Sequence, residues 1–539
     1  MRVSDPSPRP TSYRVPPVLR ELRLEYLPPL MVYLAAGLSG ITSIVGTFFV
    51  KDTLGLSATF LASIGFWAGI PWALKMPMGH LVDLFWRWKA GFVVLGASLI
   101  AASLSIMLGL VAGVPWMLQW LNAPQWYVCS ALLAPIGYMM QDTVADAMTV
   151  EAVPRVDARG IAYSPAQRRA MNTTMQTLGR VAIIGGGVLV SLLNIVMFSG
   201  VDHEDAAALR TVYIDVYQWA LVIPVLSLAG IALAAWLRAR RARSSALTTP
   251  TAAGISVEPS PPAIAPNWWI LGGSAVFVAL TLTIGLASFT YGEELIFSGS
   301  LLTIGILMWR LLRELTPDAR RTLLGTAAII FIFRAMPGPG AGSTWWMIDT
   351  LGFDQAFLAR LSLVASVLTL IGLFAFRRLM AERSVAYVVG FLSLASFVLG
   401  LPTVGMYYGL HQWTAALTGG VIDARFIALV DTALESPLGQ ISMVPLLAWI
   451  ANSAPAHLKA TYFAVMASFT NLALSAAQLG TKYLNQMFVV TREVHGAGSV
   501  PATPADYSQL GHLLLIASAL TLLPLVAIAL TRALGIKTE

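Results

Sequence analysis

The chain has 539 residues, 57% of them hydrophobic and only 11% charged. A soluble domain carries about 25% charged residues, so a deficit spread along the whole chain excludes a soluble protein and indicates a polytopic membrane protein. The formal net charge of +7 matches the Lys and Arg that cytoplasmic loops collect, and needs no nucleic-acid partner.

The first 25 residues are rich in Arg and Pro and lack an apolar run before Leu27, so no secretory signal is expected. A helix needs about 20 apolar residues to cross the hydrocarbon. Windows of that kind fall near 27–50, 58–77, 90–112, 125–150, 170–198 and 213–237. Two more fall near 268–288 and 294–313, and six near 322–348, 355–376, 385–409, 424–450, 457–488 and 510–531. The pattern is all-α, about fourteen spans grouped as six, two and six. With the N-terminus inside, Lys and Arg concentrate in alternate loops, as at Lys75, Arg87 and Lys89, at Arg155, Arg159, Arg168 and Arg169, and at Arg238 to Arg243. Few remain on the other side, among them Lys51, Arg210 and Arg492. This asymmetry places both termini in the cytoplasm. The sole cysteine, Cys129, excludes an internal disulfide.

The expected organisation is a cytoplasmic tail over 1–26, a six-helix half over 27–238 and a disordered linker over 239–267. An inserted helix pair over 268–315, a second six-helix half over 316–532 and a short tail over 533–539 complete it. The linker turns from Arg-rich to Ser, Thr, Pro and Ala, with little to bury. Two halves around a central linker are expected of a transporter built from repeats. In the inserted pair, Glu293 and Glu294 read as an outer loop.

The stretch GHLVDLFWRWK (79–89) reads as a cytoplasmic loop. Gly79 would allow a tight helix exit. Asp83, Arg87 and Lys89, with Glu151 and Lys75, would form a latch on that side. MMQDTVADAMTVE (139–151) places Asp142 and Asp146 one turn apart on one helix face. At ~1.5 Å per residue, Asp142 lies roughly 12 Å from the inner end and Arg180 on the next helix roughly 15 Å, so the two can meet across a helix pair. Either they form a structural ion pair, or they line a cavity and bind substrate or a coupling proton. In the second half Asp431 and Glu435 are again four apart, with Asn471 at a similar depth on the following helix. Gln440 and Asn471 suit helix–helix hydrogen bonds. Arg334 precedes MPGPGAGS (336–343), where Pro337, Gly338, Pro339 and Gly340 should break the helix. Broken backbone at depth is tolerated where it is buried or lines a cavity. Trp345 and Trp346 fit an outer aromatic belt or a stacking surface.

IPWALKMPMGHLVD (70–83) with the basic residues after it resembles the signature loop of the major facilitator superfamily, and within it the helix-2 pattern of the folate-biopterin transporter family. QDTVADAMTVE (141–151), FRAMPGPGAGSTWWMIDTLGF (333–353) and APAHLKATYFAVMASFTNL (454–472) are similar to further stretches of that family. Pro77 is displaced by one place, and Lys459 stands where the family has an acid. The helix-4 stretch also resembles that of muropeptide permeases. The resemblance implies two six-helix bundles with helices 1, 4, 7 and 10 around a central cavity. It implies a proton-coupled carrier of a small polar or anionic solute, folate- or pterin-like, working by alternating access as a monomer in a bacterial-type inner membrane. A muropeptide-type importer, and a non-transporting assembly factor on the same fold, are the alternatives. No Walker A, HExxH, GxSxG or Cys/His pattern is present, so neither an enzyme, nor a metal, nor another cofactor is expected.

Overall fold

A computed structural model describes residues 23–73, 75–153, 163–201, 205–247, 266, 268–287, 289–313, 315–376, 379, 383–439, 441, 459–495 and 501–536. It is helical apart from a small ribbon. The first half holds α1 (Leu27–Gly37), which continues through a 3-10 turn into α2 (Ser43–Phe49), then α3 (Ala58–Ala73), α4 (Lys75–Leu84) and α5 (Lys89–Val111). A short α6 (Met117–Trp120), α7 (Ala123–Ala152), α8 (Pro165–Phe198), α9 (Ala206–Ala220) and α10 (Val222–Leu247) follow. The inserted pair is α11 (Trp268–Leu286) and α12 (Gly292–Leu312). The second half holds α13 (Pro317–Arg334), α14 (Ala341–Asp349), α15 (Gln355–Ala375), α16 (Val385–Tyr407), α17 (Leu410–Leu417) and α18 (Ala424–Glu435). It ends with α19 (Lys459–Met487), α20 (Leu510–Leu520) and α21 (Leu523–Ala533). Among the described residues, eight helical segments are long and apolar enough to cross a membrane.

Helix starts follow local chemistry. Asn122–Gln125 and Ser164–Gln167 are reciprocal capping boxes at α7 and α8. Thr316, Asp354, Ser384 and Asp423 cap four later helices through their side chains. Within each half, glycines bring backbones together. A Cβ on Gly37 of α1 would run into the carbonyl of Ile183 on α8, and one on Gly372 of α15 into that of Pro437.

The two halves meet along two seams, α3 against α19 and α8 against α15. Both are lined by small and hydroxyl residues. A Cβ on Gly65 or Gly69 would lie 2.7 Å from the Gln478 Oε1 or the Ser475 Oγ. Ser191 Oγ and Ser362 Oγ are 2.8 Å apart.

Three expectations change here. The 79–89 stretch is mostly helix: α4 runs to Leu84, a 3-10 turn covers Trp86–Trp88, and α5 starts at Lys89. Gly79 is therefore inside a helix and makes no exit, and a Cβ there would meet only Thr143 Cγ2, at 3.9 Å. The basic stretch after 238 also stays helical to Leu247, because Arg, Ala and Leu are good helix formers. The remainder of the expected linker, 248–265 and 267, lies outside the described residues, as do Gln440 and the side chains of Asp83 and Lys459.

Candidate functional site

Lys75, at the start of α4, is the centre of a partly buried charge cluster. Its Nζ is 2.5 Å from Asp142 Oδ2 and 2.7 Å from Asp146 Oδ2, both on α7. Tyr33 of α1 donates to the other Asp146 oxygen at 2.5 Å. One cation thus serves two carboxylates, and three helices of the first half are tied together. Arg180 is near enough for its charge to act on Asp142 and Tyr33. Among the described residues, however, it forms neither hydrogen bond nor ion pair. The expected Asp142–Arg180 pair is replaced by Asp142–Lys75, because Lys75 on the neighbouring helix points straight at both acids.

The expected latch is also different. Lys89 pairs with Glu151, but both belong to the first half, so the pair joins α5 to α7 and does not bridge the halves. Arg87 is exposed and makes no ion pair among the described residues.

In the second half, α13 ends at Arg334 and α14 starts at Ala341. Pro337 and Pro339 cannot donate to a helix ladder, and Gly340 has φ 75°, a conformation that favours glycine. The freed backbone is satisfied from α19: Gly338 N donates to Thr481 Oγ1 at 3.0 Å, and Asn485 Nδ2 donates to Pro339 O at 3.2 Å. Arg334 Nε donates to Thr470 O at 3.0 Å. Asn471 Nδ2 reaches across the seam to Trp72 O at 3.2 Å. Asp431 is half-buried beside Thr403 and Glu435, with Oδ1 buried and lacking a hydrogen-bond partner. Glu435 is exposed.

A cavity of about 620 Å³ opens between the first half and the broken helix, within the range of small-molecule sites. Ser39, Thr42, Ser43 and Thr47 line it from the first span, and Tyr127, Ser130 and Tyr138 from α7. Ser103 and Tyr217 add hydroxyls, and Gly340, Thr344 and Trp345 complete the wall. None of the charged residues singled out in the sequence lines it. Tyr127 and Tyr138 make no hydrogen bond among the described residues. The hydroxyls were legible in principle: Ser39, Thr42, Ser43 and Thr47 recur at helical spacing.

Trp345 separates this cavity from a second one of about 510 Å³ that reaches Ser57, Gln486 and Arg492. It is 1% exposed, so it is a buried partition and not part of an aromatic belt. Trp346, 3% exposed, is likewise buried. The Arg492 guanidinium carbon sits 5.1 Å from the Trp345 ring centroid, a cation–π distance.

Around this partition the two halves are locked at one end, here termed the Lys51 face. Lys51 pairs with Asp349 at 2.6 Å and Asp52 at 3.1 Å. Arg492 donates to the carbonyls of Lys51 and Leu56, each at 2.5 Å. Tyr507 donates to Asp349 at 2.5 Å. Burial and the Asp349 carboxylate both push the Tyr507 phenol well above its ordinary value, so it remains the donor. The loop after α19 aims Arg492 inward. Thr491 and Asp506 exchange backbone hydrogen bonds at 3.0 and 3.1 Å, and a ribbon of Val494–His495 with Pro501–Thr503 follows.

With this geometry in view, the comparisons with known proteins are consistent. Residues 303–534 match the BT1 family. The chain is 22% identical over 507 residues to a folate-biopterin transporter of Synechocystis sp., covering 93% of this chain and 80% of that relative. It is 27% identical over 163 residues to a putative folate transporter 2 of Plasmodium berghei, covering 29% of this chain and 33% of that relative. Among solved structures, a POT family transporter in complex with a thioalcohol-conjugated peptide superposes with a TM-score of 0.55 at 14% identity, over 95% of both chains. A nucleoside transporter superposes with a TM-score of 0.50 at 10% identity, over 94% of this chain and 99% of that one. The chain is thus an integral membrane protein with the major facilitator fold, two helix bundles plus an inserted pair, and it resembles the folate-biopterin transporters. These relatives and neighbours are transporters, not enzymes.

Proposed function

We propose that the protein is a secondary active transporter that moves a folate- or pterin-like solute by alternating access. The observation that carries this reading is the cavity of about 620 Å³ beside the broken helix, walled by hydroxyls, phenols and one tryptophan. A flat, polar heteroaromatic ring fits such a wall. Aromatic faces stack on it, and hydroxyls pair with its edge nitrogens and carbonyl. The names of the relatives favour the same class.

The asymmetry of Lys and Arg along the sequence favours cytoplasmic termini, and the resemblance to the folate-biopterin transporters favours a bacterial-type inner membrane. The Lys51 face is then the outer side, and the lock there belongs to an outward-closed state. Rocking of the halves about the seams would open it. The 27–238 and 316–532 halves are the moving units of a monomer. A proton gradient would drive uptake. Asp431 is the favoured carrier because its buried Oδ1 has no partner, whereas Asp142 is engaged by Lys75. Lys75, Asp142, Asp146 and Tyr33 serve this reading as a clasp within the first half with Arg180 beside it, while Arg334 ties α13 to α19 and Asn471 ties α19 to α3.

Binding tests the reading directly. Purified protein should be stabilised by folates or pterins in a thermal-shift screen. Tyr138→Phe should weaken that binding about fivefold, the loss of one hydrogen bond. No stabilisation by any pteridine, together with stabilisation by sugar–peptide conjugates, would transfer the assignment to a muropeptide-type carrier. No ligand from any class would favour an assembly role.

A further inference from the structure

The inserted pair is more than an outer loop. Glu293 and Glu294 open α12 and meet both halves at the Lys51 end of the α3–α19 seam. One carboxylate, Glu293, accepts from Ser63 Oγ and from Trp67 Nε1 of α3, each at 3.2 Å. The same carboxylate lies 3.0 Å from Lys482 Nζ of α19. Glu294 is 3.2 Å from Lys482 Nζ and accepts from the Tyr483 hydroxyl. The Lys482 and Glu293 side chains are both only 13% exposed. Beneath them an apolar cluster joins Phe277, Ile284 and Ile296 of the pair to Phe66 and Ile70 of α3 and Leu479 of α19.

We propose that Glu293 and Glu294 are positioning residues of the transport cycle: both hold the inserted pair on the second half through Lys482, and Glu293 lets go of Ser63 and Trp67 when the outer side opens. The proposal rests on the alternating-access reading above. The physical reason is the inequality of the two attachments. Toward α19, Glu293 and Glu294 share one ammonium in a confined setting, where both partners of each contact are charged and their Coulomb attraction is only partly screened. Toward α3, Glu293 has one hydroxyl and one indole N–H. Opening the outer side must part α3 from α19 at that end, since both flank the Lys51 lock. The weaker attachment yields first, so the pair travels with α19. While closed, the Ser63 and Trp67 bonds add to the Lys51–Asp349 and Arg492 contacts and bias the resting state.

The test needs no substrate, so it separates failure of this proposal from failure of the transporter reading. In a Cys129→Ser background, Thr59→Cys places a reporter in the wall of the outer cavity. Its labelling by a membrane-impermeant maleimide reports opening. Glu293→Gln and, separately, Trp67→Phe should each raise the labelling rate, about tenfold for the first and about threefold for the second. Lys482→Glu should disturb labelling as strongly as Glu293→Gln, because it puts a third carboxylate beside Glu293 and Glu294. A probe pair across α12 and α19 should keep its distance while a pair across α12 and α3 widens on opening. Labelling unchanged in both Glu293→Gln and Trp67→Phe, with normal thermal stability, overturns the proposal. So does a constant α12–α3 distance.

Discussion

Lys75→Met will destabilise the protein more than Asp142→Asn, although both remove one partner of the same ion pair. The asymmetry comes from the triad. In Asp142→Asn, Lys75 keeps Asp146 at 2.7 Å, and the new amide oxygen still accepts, so the cost is about 1–2 kcal/mol. In Lys75→Met, two carboxylates one helical turn apart lose their common cation. Removing one partner of a buried pair costs about 3–5 kcal/mol. Here the Lys75 and Asp142 side chains retain 23% and 20% exposure and Asp146 retains 43%, so solvent screening lowers the figure to about 2–4 kcal/mol. The double variant Lys75→Met with Asp142→Asn should recover part of the loss, because the remaining carboxylate still has Tyr33. Thermal unfolding in detergent, followed by tryptophan fluorescence, gives the order: Lys75→Met lowest, the double variant next, Asp142→Asn highest. Equal midpoints for the two single variants, or a double variant no better than Lys75→Met, would refute the shared-cation argument.

Asp431→Asn should abolish proton-driven uphill uptake in vesicles while exchange of labelled for unlabelled solute continues. Uphill uptake that survives would remove Asp431 from coupling. Gly37→Ala should sharply lower the yield of folded protein, since its Cβ would collide with the Ile183 carbonyl, whereas Gly185→Ala, with open space around it, should express normally; the measurement is monodisperse protein on size exclusion.

The all-helical, membrane-spanning character and the helix break around Pro337 to Gly340 were legible because they depend on chain-local properties: apolar length, missing N–H groups and a glycine at positive φ. The nearness of Asp142 and Arg180 was legible too, from the rise per residue: the Arg180 charge acts on Asp142. Azimuth was not. Arg180 is near Asp142, yet Lys75 takes the acid because of where it sits around α4. Trp345 has the composition of a belt residue and the position of a partition, and only packing distinguishes them. The cavity was missed because Ser and Thr in an apolar helix look like tolerated polar residues until several converge from different spans. Glu293 and Glu294 looked like loop acids because their partners are about 190 to 230 positions away in the chain.

The seams between the halves have a thermodynamic consequence. They consist of glycines facing side chains, single hydroxyl pairs such as Ser191–Ser362 at 2.8 Å and the Asn471–Trp72 bond, and no ion pair crosses them among the described residues except at the Lys51 face. Each such neutral bond inside a membrane is worth about 0.6 kcal/mol, and a shifted hydroxyl readily finds the next acceptor along the helix. On the proposed rocking motion, parting or shifting these neutral contacts would cost little at any one point. On the proposed alternating-access reading, the free-energy difference between the end states would be concentrated in a few charged side chains at one rim, so point changes there would reset the balance without rebuilding the seams.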